Sequence, residues 1–183
     1  MKKITSHERT QNLTLCALLT AMMLIIGYIE SMIPFNFGIP GIKLGLSNSV
    51  LIFAIYMLSF PTAFLLMAVK VLLSAVMFGG GLFSPMTLFA FSGGAFSVCM
   101  MALFARDRDF HPVVISMLGG FCHNTAQVTV YMLLNRGSNL FLYMGVLMLV
   151  GMVTGGLTGI IADRVMRHLK VANLQENKDS SMG

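Results

Sequence analysis

The chain has 183 residues, of which 56% are hydrophobic and 10% charged; it carries 17 methionines, a mean hydropathy of +0.82 and a formal net charge of +5. This composition excludes a water-soluble domain and a disordered chain and describes an integral membrane protein, all-α, with a bundle of six transmembrane helices. Apolar runs fill nearly the whole length, which leaves no room for a soluble catalytic domain.

A bilayer core of about 30 Å takes roughly 20 residues of helix, and the spacing predicts spans near 13–29, 44–59, 62–79, 86–104, 112–134 and 140–162. The chain thus divides into an N-terminal arm over 1–12, a membrane domain over 13–163, and a tail over 164–183 that is basic and then disordered from Leu174. The first run is long and has no small-residue cleavage site followed by a soluble chain, so it is expected to stay in the membrane rather than act as a cleaved signal peptide. Ala17 and Ala21, four apart on this span, form a small-xxx-small pair suited to a close helix contact, within the bundle or with a partner.

Pro34, Gly38, Pro40 and Gly41 make residues 31–41 an irregular connection, long enough to cover a pocket. The second span then opens with Lys43, Ser47 and Asn48. Its positive N-terminal end together with Lys43 favours a nearby anion, or else Lys43 pairs with Glu30 at the end of the first span. Lys70 sits in the middle of the third span, too deep for easy snorkelling, with Ser74 one turn further on. A lysine at that depth costs about 2.5 to 3.5 kcal/mol and must face a cavity, a partner or a functional route. Gly79, Gly80, Gly81 and Pro85 break the chain again, with the apolar Leu82 and Phe83 suggesting a segment that dips toward the membrane.

The fifth span carries the densest polar set. His123, Gln127 and Tyr131 are spaced i, i+4, i+8 and share one helix face, while Asn124 lies beside them and reaches Gln127 at i+3. Two readings stand: a buried hydrogen-bond network that locks helices together, or, with Lys70, a solute or ion site. The candidate substrate-binding residues are therefore Lys43, Asn48, Lys70, Ser74, His123, Asn124 and Gln127. A lysine and a titratable histidine with no midplane acid to balance them suit a ligand that is anionic or strongly hydrogen-bond accepting. In the sixth span Gly151, Gly155 and Gly159 fall four apart, which strips one face of side chains and makes them helix-packing residues.

Several chemistries find no residues here. There is no GxxxxGK[ST] loop, no HExxH and no GxSxG. The acids Asp107 and Asp109 are not the paired motif that binds magnesium diphosphate, and they read as an interfacial charge group. Cys16, Cys99 and Cys122 fall in apolar runs without zinc spacing and read as small buried apolar residues. No catalytic residue, metal ligand or cofactor is expected.

Orientation follows from the cations. With the N-terminus inside, nine of them (Lys2, Lys3, Arg9, Arg106, Arg108, Arg164, Arg167, Lys170 and Lys178) lie in cytoplasmic segments, against Lys43 and Arg136 outside. The same arrangement puts Tyr28, Tyr131 and Tyr143 near the outer interface and Tyr56 near the inner one. The positive charge is thus topological, and nucleic acid is not an expected partner. A multi-pass plasma-membrane protein with both termini cytoplasmic is predicted.

The stretches PGIKLGLSNSV at Pro40 to Val50, VKVLLSAVMFGGGLFSP at Val69 to Pro85, SGGAFS at Ser92 to Ser97 and GGFCHNTAQ at Gly119 to Gln127 resemble the family called Gx transporters, also labelled heptaprenyl diphosphate synthase component I. The resemblance covers the membrane region, with the motifs in one order. Size and layout are also similar to the substrate-binding S components of energy-coupling factor (ECF) transporters, in which a small membrane protein captures a solute. In that wider group an AxxxA on the first helix meets the energising transmembrane subunit, and Ala17 and Ala21 match it. The resemblance thus implies either solute uptake with separate coupling and ATPase subunits, which is the favoured reading, or a non-catalytic accessory role in isoprenoid or quinone synthesis or in a quinone-linked redox complex. A purely structural scaffold is the third possibility.

The orientation is open to direct test. Single cysteines placed at Asn36 or Ser138 should react with an impermeant maleimide added outside intact cells, while cysteines at Lys3 or Asn177 should react only after permeabilisation. The opposite pattern would invert the topology.

Overall fold

A computed structural model describes residues 6–32, 47, 49–77, 81–107, 110–135 and 141–180. Among the described residues the chain forms six helices and no strand: α1 (Ser6–Met32), α2 (Ser49–Met57), α3 (Phe60–Met77), α4 (Pro85–Phe104), α5 (Pro112–Leu134) and α6 (Phe141–Ser180). The helix starts follow local chemistry. Pro85 and Pro112 occupy first-turn positions, where a missing N–H costs nothing, and the residues before them cap the helices. The Ser84 side chain accepts from the Met86 N–H at 3.3 Å, and His111 Nδ1 accepts from the Val113 N–H at 3.3 Å. Gly81, at φ +73°, takes the left-handed conformation that closes α3. Its N–H donates to the Ala75 carbonyl at 3.0 Å, and Thr87 Oγ1 donates to its own carbonyl at 2.8 Å. The adjoining Phe83 side chain is fully exposed.

Among the described residues four helical stretches are long and apolar enough to cross a membrane: Arg9–Glu30, Phe60–Met77, Pro85–Phe104 and Met144–His168. Helix α5 has 23 residues and ample length, but its polar residues dilute its apolar character; α2 is described over nine residues. Helix also reaches further than the apolar runs do. α1 begins at Ser6, inside the stretch that reads as an arm, and α6 continues to Ser180, past Leu174, where a disordered tail is expected. Extending an existing helix into a segment rich in Lys, Arg, Glu and Gln adds one backbone hydrogen bond per residue without a new nucleation step. At the start of that extension Asp163 accepts from Arg167 Nε at 2.9 Å, one turn away.

The helices assemble around α2 and α5. Leu51, Ile52, Phe53 and Ala54 are four consecutive buried residues, so this turn of α2 is buried on every side, and α2 touches each of the other five helices. Helix α5 runs antiparallel to α4. The register is set by Phe104 against Phe110 at one end, Ser97 Oγ donating to the Gly119 carbonyl at 2.8 Å, Gly93 against His123, and Phe89 tilted against Tyr131, ring centroids 5.6 Å apart, at the other. The first of these ends carries Arg106, His111, Arg164 and Arg167 and is called here the basic end; Glu30, Gly81 and Tyr131 lie toward the far end. The apolar core of Met23, Leu51, Ile52, Met67, Val98, Met101 and Ile115 fills the half nearer the basic end.

On its other side α5 meets α6 along positions that repeat every four residues. Gly120 faces Gly151, Ser116 faces Gly155 and Gly159, and Asn124 faces Leu147 and Gly151. A Cβ on Gly120 would overlap the Gly151 carbonyl oxygen, and a Cβ on Gly155 would overlap the Ser116 carbonyl oxygen. Backbone touches backbone here, so a side chain has no flexible neighbour to displace. Gly120→Leu and Gly155→Leu should therefore cost about 3 kcal/mol or more, while Gly145→Ala, a site with nothing within 4 Å, should be neutral or stabilising by up to about 1 kcal/mol. Thermal unfolding of the detergent-solubilised protein, followed by fluorescence-detected gel filtration, checks the contrast.

Candidate functional site

Helix α5 has two working faces. His123, Gln127 and Tyr131 look toward α4, whereas Ser116, Gly120 and Asn124 look toward α6. The polar set that reads as one cluster in the sequence is therefore split. Asn124 Nδ2 donates to the Leu147 carbonyl at 2.7 Å, across the α5–α6 seam, so it does not join Gln127 on the α4 side. Its Oδ1 is buried with no hydrogen-bond partner among the described residues.

Two of the remaining polar residues, His123 and Gln127, come together around Gly93 in the middle of α4. A Cβ at Gly93 would lie 2.8 Å from His123 Cε1, 2.9 Å from His123 Nδ1 and 2.8 Å from Gln127 Cγ. The absent side chain is thus the space that both residues use. The His123 ring hydrogen-bonds the Gly93 backbone and interacts electrostatically with Lys70 of α3. His123 is 4% exposed and Gln127 2% exposed, and Lys70 is half-buried. Gln127 Oε1 has no partner among the described residues. A buried amide oxygen left in that state costs about 1 to 3 kcal/mol, so the site has an open acceptor on the residue that shares the Gly93 notch with the imidazole.

Gly94 does for α3 what Gly93 does for α5. A Cβ there would lie 2.9 Å from Met67 Cγ and Sδ, one turn of α3 before Lys70. The SGGAFS stretch thus seats two neighbouring helices on consecutive glycines, one on each side of α4. Below it Ser97 Oγ bonds Gly119, whose own missing Cβ leaves room for the Met101 sulfur at 2.5 Å. Nothing in the spacing of side-chain types marks Gly93 as a site residue. The signal was a glycine pair in mid-helix, where each glycine costs about 1 kcal/mol relative to alanine and so calls for a packing reason.

The threonines of α5 and α6 need no such arrangement. Thr125, Thr129 and Thr158 hydroxyls donate to the carbonyl four residues back at 2.7 Å, which satisfies them within their own helix. His, Gln and Lys are too long for that bond, and their polar ends must find partners between helices.

The other predicted positions are dispersed. Ser74 is half-buried on α3, one turn from Lys70. Lys43 and Asn48 lie outside the described residues. The neighbouring Ser47 is 3% exposed and packs at 3.7 Å from where a Cβ of Gly27 would stand, and Glu30 is 4% exposed at the far end of α1. Ala17 and Ala21 are both exposed, on the face of α1 that points away from the bundle. Gly151, Gly155 and Gly159 all lie against α5. Cys122 is buried and Cys16 half-buried, but Cys99 is exposed on α4, at variance with the buried reading of all three.

A helical bundle with long apolar helices, and with ionisable and amide side chains gathered inside it, is a membrane protein. The family described as heptaprenyl diphosphate synthase component I matches residues 19–165, and the chain belongs to that family. Neither a curated protein nor a solved structure matches it.

Proposed function

We propose that this chain is the solute-capturing subunit of a membrane uptake system, a multi-pass plasma-membrane protein with both termini cytoplasmic, energised by separate ATPase and coupling subunits. The observation that carries this reading is the packing of His123 and Gln127 into the glycine notch of Gly93, with Lys70 in electrostatic reach of His123. Placing an ammonium, an imidazole and an amide within a bundle is costly in a bilayer, and a bound solute returns that cost by supplying the missing hydrogen-bond partners. The amide presents an open acceptor and the lysine a cation, and the notch seats the His123 ring and Gln127 between α4 and α5. The ligand suited to these groups has an anionic or strongly accepting part for Lys70 and a donor for Gln127. The role proposed for these residues is binding, and Lys43 and Asn48, from the start of the second predicted span, belong to the same proposed set.

Partner coupling falls on α1. Its exposed Ala17 and Ala21 leave a shallow strip on a helix whose other outward residues, such as Leu18 and Ile25, are large. A strip of that shape admits the close approach of a helix from the coupling subunit.

A second reading takes its support from the description of the family. A membrane subunit that assists prenyl diphosphate or quinone synthesis would hold its partner enzyme at the membrane without needing a solute site. Gene neighbourhood separates the two: coupling and nucleotide-binding subunits favour uptake, prenyl synthase or redox genes the accessory role.

Mass spectrometry of small molecules retained by the purified protein is the direct test. A defined solute should co-purify with the native chain, and Lys70→Met, which keeps an unbranched apolar stem, should weaken its binding at least about tenfold, equivalent to about 1.4 kcal/mol. Gly93→Ala should weaken it as well by pushing the His123 ring and Gln127 out of the notch. Replacing Ala17 and Ala21 by Leu should leave solute retention unchanged and abolish co-purification with the coupling subunit. Retention undiminished by Lys70→Met would overturn the site, and an intact complex after the double Leu substitution would remove α1 from the interface.

A further inference from the structure

A second recess lies away from the Lys70 site, at the basic end. The last turn of α2, the start of α3 and the end of α4 enclose an open-sided cleft of about 540 Å³. Its wall is apolar: Ile55 from α2, Phe60 from α3 and Leu103 from α4, with Phe60 44% and Leu103 58% exposed. Its end is polar, because Tyr56 and Arg106 both line it. Arg106 stands just beyond the α4 cap residue Ala105 and two residues past the end of the apolar stretch Pro85–Phe104. That is the level at which a span leaves hydrocarbon and enters headgroups.

Neither polar group is engaged. Among the described residues Arg106 has no hydrogen-bond or ion-pair partner, and the Tyr56 hydroxyl has no hydrogen bond. The adjacent Asp107 forms no ion pair with Arg106. Asp163, the acid that interacts with Tyr56, is taken by Arg167 at 2.9 Å. The cleft thus offers a free guanidinium and a hydroxyl donor at one end of an apolar channel.

We propose that this cleft binds one anionic phospholipid of the adjoining leaflet, its phosphate held by Arg106 and Tyr56 and an acyl chain laid along Ile55, Phe60 and Leu103. The chemistry selects that occupant. A water-soluble anion would use the polar end and leave the apolar wall exposed, and a neutral lipid would fill the wall and leave the guanidinium without a counter-ion. A phospholipid with net negative charge meets both, as basic recesses between helices at a membrane surface do for acidic headgroups. The site does not depend on the solute-uptake reading.

Cys99 lies in the cleft and reports its occupancy. The full chain, carrying Cys16→Ala and Cys122→Ala so that Cys99 is the one thiol left, is reconstituted into vesicles of phosphatidylcholine alone or of phosphatidylcholine with phosphatidylglycerol, and maleimide modification of Cys99 is timed. Phosphatidylglycerol should slow the reaction at least about threefold, and native mass spectrometry should find it retained in preference to phosphatidylcholine. Arg106→Gln, an exposed position whose change leaves packing intact, should remove both the protection and the preference; Tyr56→Phe should reduce them, and Arg106→Lys should keep part of each. Equal labelling in the two lipids, or a preference that survives Arg106→Gln, would overturn the proposal. So would equal protection by glycerol 3-phosphate in phosphatidylcholine vesicles, which would identify a soluble phosphate as the occupant.

Discussion

Helix α5 can hold polar side chains inside an apolar bundle because glycine faces it on two sides. Gly93 of α4 gives way to His123 and Gln127, and Gly151, Gly155 and Gly159 of α6 bring that helix's backbone against Ser116 and Gly120. A membrane offers little hydrophobic drive between helices, since lipid tails are as apolar as leucine; close packing and interhelical hydrogen bonds must supply the cohesion. Both depend on the same small positions. The α5–α6 seam is held by backbone contact and by the Asn124 bond to the Leu147 carbonyl. The α4–α5 seam is held by Ser97 on Gly119 and by the aromatic pairs at each end.

That division of labour explains why adjacent residues on one helix do different work. Successive residues of a helix point about 100° apart, so His123 and Asn124 address different neighbours. One meets a glycine notch and a lysine, the other a carbonyl on a packed seam. The two unpartnered amide oxygens, on Asn124 and Gln127, consequently have different surroundings. At Gln127 the open acceptor belongs to the residue that shares the Gly93 notch with His123, on the α4 side. At Asn124 it sits at the α5–α6 seam, where backbone meets backbone.

The two ends of the bundle also differ in kind. The apolar core occupies the half nearer the basic end, packed by Met67, Met101 and the buried α2 residues Leu51 and Ile52, while the polar notch begins one turn beyond it. Helix α1 is peripheral, packing on α2 and α3 and carrying a largely exposed face.

Composition and hydropathy by themselves determined that the chain is all-helical and lives in a membrane, because lipid demands long apolar stretches whose backbone bonds are closed internally. They also marked Lys70 and the His123 group as costly residues, since transfer energies belong to residue types. Pro85, read as a break in the chain, does stand at the start of α4. The ends of α1 and α6 were less legible, because a helix nucleated in the apolar run continues into polar sequence that shows no apolar period. Which helix each polar residue faces was decided only in three dimensions. The i, i+4 spacing that groups His123 with Gln127 is local, but the partner across the seam depends on register against α4 and α6, and single-sequence periodicity carries no information about a neighbour. The role of Gly93 is the clearest case: a residue with no side chain has no chemistry to read, and its contribution is the room that it leaves for side chains from another helix.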